Sequence, residues 1–158
     1  MNKILKVKLL NAVAELPKRN YKTDAGMDLQ SINQYTLMPG EMKTISTGIA
    51  IALDVGYVGL IFSRSGMGKL RVNLSNAVGV IDADYRGELK VMVQNEGTDP
   101  FKINIGDRIA QLVVLPVYTP TAIEFEGTDE EWLDTTRGAK GFGSSGFSSV
   151  AYASLGAN

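Results

Sequence analysis

The chain contains no cysteine and no histidine. The first absence excludes a disulfide framework and any thiolate metal site, and it suits a reducing compartment. The two together remove Ser-His-Asp triads, Cys-His nucleophiles and zinc centres built on either side chain. Acid-base chemistry is thereby left to carboxylates, lysine or tyrosine. Any metal must be a hard cation held by oxygens, and Mg2+ fits best where phosphates share its coordination. An excess of charge is missing as well. A formal net charge of -1 gives no long-range attraction for nucleic acid, so the cationic partners of any anionic ligand have to be concentrated locally. No apolar run is long enough to span a membrane.

What is present fits one globular domain. The 158 residues can bury a core and are too few for two ordinary domains. Met1 to Ala14 has lysines at 3, 6 and 8 and the outline of a leader peptide, but Lys6, Lys8 and Asn11 break its apolar stretch. It reads as a first β-strand, and a soluble, cytoplasmic protein is the expectation.

From Met42 to Leu53 the residues Ile45, Thr47, Ile49, Ile51 and Leu53 share one face, the two-residue period of a strand. Leu89 to Gln94 and Phe101 to Ile105 alternate likewise, as do Ile123 and Phe125 against Glu124 and Glu126. Arg108 to Tyr118 is apolar on both faces from Leu112 onward, as in a strand covered on both sides. Turn residues separate these runs at Pro39-Gly40, Asp54-Val55-Gly56, Glu96 to Pro100 and Gly106-Asp107. Short strands at this spacing predict a sandwich, barrel or jelly roll, with Ser65 to Arg71 the one place for a short helix. After Leu133 the chain turns rich in Gly and Ser and loses alternation, which reads as a flexible tail.

Three segments carry residue types that chemistry uses. Asp82-Ala83-Asp84-Tyr85-Arg86-Gly87-Glu88 is either a polar hairpin or a strand end presenting a carboxylate that accepts a proton from water. Ser63-Arg64-Ser65-Gly66-Met67-Gly68-Lys69 is either an ordinary turn or a phosphate site of hydroxyls, backbone N-H groups and guanidinium charge. It is not a P-loop, because Leu70 follows Lys69 and the glycine spacing is wrong. Arg137 to Gly146 is either a linker or a mobile lid with two cations, hydroxyls and the glycine-flanked Phe142.

Together with Ala25-Gly26-Met27-Asp28-Leu29 and Gly106-Asp107-Arg108-Ile109-Ala110-Gln111, these segments resemble, in order, the five motifs of the trimeric dUTPase family. The resemblance runs from about Val7 to Gly146. It implies an all-β jelly-roll (β-clip) domain over residues 1-133 and a flexible C-terminal arm over 134-158. It further implies a homotrimer whose active sites are shared between subunits, the arm of one chain closing over a neighbour's site. The implied activity is dUTP diphosphatase: Mg2+-assisted attack of water on the α-phosphorus of dUTP, giving dUMP and pyrophosphate. Such an enzyme limits uracil incorporation into DNA and supplies dUMP for dTMP synthesis.

Residue by residue, the resemblance implies that Asp82 is the general base and that Tyr85 packs beneath the deoxyribose, where it crowds out a 2′-hydroxyl. Asn76 helps bind uracil. Arg64, Ser65, Gly66 and Gln111 hold phosphates, and Asp28 supports Mg2+ through water while the phosphates grip the metal. In the arm, Arg137 pairs with the γ-phosphate, Phe142 covers the base, and Gly143, Ser144 and Ser145 complete the terminal-phosphate contacts. Three departures stand out. Lys140 occupies a position that is often glycine, the stretch from Ser65 to Asn76 is about one residue shorter than in some members, and residues 147-158 run past the usual end. Two rival readings share this fold: a dCTP deaminase, and a nucleotide-gated regulator that binds a protein partner, as phage-encoded relatives suggest. The Asp82 and Tyr85 pattern matches diphosphatases, and no large insertion offers a docking surface.

Overall fold

In the computed structural model, which describes residues 4-141, the alternating segments become antiparallel strands. In chain order they are β1 (Lys6–Leu9), β2 (Met27–Gln30), β3 (Tyr35–Leu37), β4 (Met42–Ser46), β5 (Ile49–Ala52), β6 (Tyr57–Phe62), β7 (Val72–Leu74), β8 (Gly79–Ile81), β9 (Lys90–Asn95), β10 (Phe101–Ile103) and β11 (Arg108–Pro116). They form four small sheets, ordered β1-β5, β10-β3, β2-β11-β6-β8 and β4-β9-β7. Chain contacts divide into two units after Thr119. Among the described residues no helix is long and apolar enough to cross a membrane.

The alternation expected over Met42 to Leu53 holds for burial. Ile45, Thr47, Ile49, Ile51 and Leu53 are all buried. The backbone does not run as one strand, however. Gly48, at φ +69°, breaks it into β4, which pairs with β9, and β5, which pairs with β1. A side chain at Gly48 would meet both the strained backbone and the Cβ of Ala14, 2.8 Å away. The switch of sheets leaves the Thr47–Ile49 backbone free to bond elsewhere. The Thr47 hydroxyl donates to the carbonyl of Leu89 at 2.5 Å, Gly48 N donates to Glu88 Oε1 at 2.9 Å, and Ile49 O accepts from Leu89 N at 2.8 Å. Residues 88-89 are thus stapled to the β4-β5 junction. Replacing Thr47 by Val keeps the volume and deletes one buried donor, so stability should fall by about 1–2 kcal/mol, read as a lowered urea midpoint at fixed chain concentration.

β11 departs from expectation at its far end. Leu112 is buried, but Leu115, Val117 and Tyr118 are exposed in a single chain, Tyr118 by 87%. Ile123 and Phe125 belong to no strand, because a strand needs a ladder partner and none of the described residues supplies one. In the second unit, α2 (Asp129–Leu133) is an element the alternation did not signal. It is set by a capping box: the Thr128 hydroxyl accepts from Glu131 N, and the Glu131 carboxylate accepts from Thr128 N.

The expected helix forms as α1 (Ser65–Lys69), anchored by the buried Met67. It ends at Lys69 with Leu70 as its C-cap, and the left-handed backbone of Arg71 (φ +56°) stops a second turn from completing and feeds the chain into β7.

Candidate active site

β11 is the element that assembles the first group of candidate residues. Its Gln111 stands opposite Asp28 of β2 on one side and Phe62 of β6 on the other, so the β2 carboxylate, Gln111 and the Ser63 to Gly66 turn converge. Arg108 joins them through an irregularity. Three residues from Gln111, it would face the other way in a regular strand; the register shift between Arg108 and Ala110 absorbs the extra residue, and both line one cleft. The cleft, of about 570 Å³, is completed by Asn20, Tyr21, Asp24 and Gly26.

Its charges are organised around Asp28. Arg64 Nε donates to Asp28 Oδ1 at 2.7 Å and Arg108 Nη1 to Oδ2 at 3.4 Å, while Arg64 Nη1 reaches the Arg108 carbonyl at 3.3 Å. One carboxylate between two guanidiniums leaves that cluster one positive charge in excess, with the Asp24 carboxylate on the cleft wall beside it. Gln111 Nε2 donates to Ser63 O at 3.0 Å, which fixes the turn leading into Ser65. The amide lies against Gly26, where an added Cβ would be 3.2 Å from Cβ and Cδ of Gln111 and closer still to its Oε1. By helix geometry the N-H groups of Ser65 and Gly66, at the start of α1, have no intrahelical acceptor and are free to meet oxygens of a ligand. The arrangement suits a phosphate chain. As for a metal, no cluster of three acidic, His or Cys side chains occurs among the described residues. With both Asp28 oxygens engaged by arginines, the donor set fits a cation that arrives with phosphate oxygens and meets the protein through water.

Asp82 and Tyr85 stand elsewhere, just after β8, and Asn76 lies before that strand at its other end. β8 pairs with β6 at the far edge of the same sheet, Ile81 opposite Gly59, so Asp82 leaves the sheet three strands from Asp28. Strand spacing alone puts Asp28 and Asp82 on the order of 14 Å apart across the sheet, and the Ser63 to Gly66 turn leaves the neighbouring β6 at the end opposite to Asp82. Asp82 is exposed, and its carbonyl accepts from Tyr85 N at 3.2 Å in a tight turn. Arg86 Nη1 closes that turn on the carbonyls of Ala83 and Tyr85, at 2.6 and 2.9 Å. Tyr85 OH donates to Glu88 O at 3.0 Å. β8 itself is an edge strand with Val80 exposed, not the buried strand its apolar sequence suggests. Asn76 is exposed in the connection between β7 and β8, beside Ala77, whose positive φ of 58° is rare for a side chain with a Cβ.

Of the arm, Arg137 and Lys140 are exposed in the second unit, where Arg137 Nε donates to Lys140 O at 2.8 Å. Phe142, Gly143, Ser144 and Ser145 lie outside the described residues. Arg108 is the residue that motif reading passed over. Its signal in the sequence is a second cation three residues before Gln111, which a regular two-residue period would put on the opposite face.

The dUTPase family model matches residues 12–146. The deoxyuridine 5'-triphosphate nucleotidohydrolase of Nautilia profundicola is 45% identical, covering 90% of this chain and 98% of that one. The protein of the same name from Mycolicibacterium gilvum is 47% identical over 92% and 97%. Among solved structures, the Staphylococcus bacteriophage 80alpha dUTPase with dUPNHPP superposes with a TM-score of 0.83 at 35% identity, covering 93% of this chain and all of that one. A phage phi11 dUTPase of S. aureus, described with a coordinated structural Mg(II) ion, gives 0.74 at 33% identity over 80% and 99%. With an all-β jelly-roll fold and matches over nearly its whole length, this chain belongs to the dUTPase family.

Proposed function

We propose that the chain is a dUTP diphosphatase, hydrolysing dUTP to dUMP and pyrophosphate in a site composed from several copies of itself. The observation that carries the reading is the division of the candidate residues. A cleft with two arginines spans β2, β11 and the turn after β6, whereas the exposed carboxylate follows β8 beside the opposite end of β6, too far away to act on the same triphosphate within a single chain. A homotrimer that joins the β8 edge of one subunit to the cleft of the next resolves this, and Leu115, Val117, Tyr118 and Ile123 are exposed apolar surface for such contacts.

In that site Arg64, Arg108, Ser65, Gly66 and Gln111 hold the phosphates in line, which is positional and electrostatic catalysis. Asp82 orients a water and takes its proton as the oxygen bonds to the α-phosphorus; the bond to the bridging β-phosphate oxygen breaks and pyrophosphate departs. Asn76 lies beside the uracil, and the Tyr85 ring packs under the sugar. From a third chain, Arg137 meets the γ-phosphate, Phe142 covers the base, and Gly143, Ser144 and Ser145 close the end. Mg2+, when bound with the triphosphate, would supply charge neutralisation, and Asp28 is the residue that would support it. The expected compartment is the cytoplasm.

Pyrophosphate release from dUTP, dCTP, dTTP and UTP, each with and without Mg2+, tests the reading. Turnover of dUTP should exceed the others by at least about 10²-fold and drop sharply in EDTA. Ammonia release or strong dCTP turnover would overturn it in favour of a deaminase.

A further inference from the structure

The Tyr85 ring is held in place by features that no role assigned above uses. It lies across Gly87: a Cβ added there would be 2.5 Å from Cζ and 2.8 Å from Cε2, and nearer still to the hydroxyl oxygen. Gly87 does not have a positive φ, so its backbone accommodates alanine without strain, and the ring is what a methyl group displaces. The far end of the ring is anchored by the 3.0 Å bond from its hydroxyl to Glu88 O. Glu88 is in turn stapled through its own carboxylate to Gly48 N, at 2.9 Å, and through its neighbour Leu89 to Thr47 and Ile49. The phenol is therefore referenced to the buried β4-β5 junction rather than to its own exposed loop. Tyr85 is itself 44% exposed, so part of its ring faces solvent rather than a packed wall.

We propose that Gly87 and the Glu88 carbonyl are the positioning elements for discrimination between deoxyribose and ribose, acting by pinning the Tyr85 ring at the height where it refuses a 2′-hydroxyl. The proposal rests on the reading of Tyr85 as the sugar contact. A ring discriminates by crowding only while it cannot recede, and an exposed side chain on a turn recedes unless its tip is tied and its face supported. The empty position at Gly87 lets the ring lie flat, and the Glu88 carbonyl stops it from swinging outward. The 2′-hydroxyl is then refused by a wall with the stiffness of the sheet behind it.

The experiment measures kcat/KM for dUTP, UTP and dCTP in the assembled protein for Gly87→Ala, Tyr85→Phe, Tyr85→Ala and the double variant Gly87→Ala/Tyr85→Ala. Gly87→Ala should lower the dUTP:UTP ratio by at least about tenfold and leave the dUTP:dCTP ratio within about twofold, because base contacts are elsewhere. Tyr85→Phe keeps the ring and loses only the anchor, so its ratio should fall less than that of Tyr85→Ala. In the Tyr85→Ala background, Gly87→Ala should change the ratio no further, which marks an effect transmitted through the ring. A Gly87→Ala variant that loses activity equally with both sugars, or keeps the wild-type ratio while Tyr85→Ala loses it, overturns the proposal and leaves the Tyr85 reading standing. A wild-type ratio in Tyr85→Ala removes both.

Discussion

Asp82→Asn lowers kcat for dUTP by roughly 10³-fold and leaves the affinity for a non-hydrolysable dUTP analogue within about threefold. The substitution keeps the shape of the side chain and deletes its ability to take a proton. Nothing structural depends on that ability: Asp82 is exposed, its turn is closed by its backbone carbonyl, and it takes part in no ion pair among the described residues. With histidine and cysteine absent from the chain, no conventional base stands by to replace it. Asp84, two positions on, is the control; Asp84→Asn should retain turnover within about threefold. Steady-state pyrophosphate release and calorimetric titration separate the two quantities. Near-normal turnover in Asp82→Asn would remove Asp82 from the role of base.

Ending the chain after Thr136 should cut kcat/KM by at least about 10²-fold without unfolding the rest. Among the described residues every buried apolar side chain lies between Ala14 and Leu112, in the first unit, so that core does not need the arm. On the proposed reading, what is lost is Arg137 with its charge, the aromatic Phe142, and the exclusion of water that closure of the arm would bring. Circular dichroism should show an unchanged melting profile while activity collapses. The two inactive proteins then make a sharper test together. Refolded as a mixture of equal parts, they should recover about a quarter of the wild-type activity, from sites that draw Asp82 from a truncated chain and the arm from an Asp82→Asn chain. If each site belonged to one chain, no mixture would recover anything.

The alternation of Ile45, Thr47, Ile49, Ile51 and Leu53 disclosed a buried face correctly, because burial depends on side-chain period alone. It did not disclose that Gly48 passes the strand from one partner to another, because pairing depends on distant residues. Ile123 and Phe125 carry the period of a strand and form none in the single chain, for want of a partner. α2 is legible as Thr128-x-x-Glu131, a capping signal that two-residue alternation does not carry. Within the site, motif order pointed to Asp28, Arg64, Ser65 and Gln111, which do converge. Arg108 escaped because a bulge re-aims it, and a bulge of this kind leaves no mark in composition or period. The separation of Asp82 from the cleft follows from strand order, which local sequence does not encode.

The carboxylate of Asp28, held between Arg64 and Arg108, has a consequence for the timing of entropy loss. Arginine is among the side chains with the most rotamer freedom to lose, roughly 2 kcal/mol each when fixed. In a bare cleft that loss would recur with every nucleotide bound. Here the two guanidiniums are already tethered in the empty protein, at 2.7 and 3.4 Å from one carboxylate, so much of the ordering happens once, when the chain folds. Each incoming triphosphate then meets a mould already set, and its binding energy remains available for closing the arm and aligning the α-phosphorus with the water.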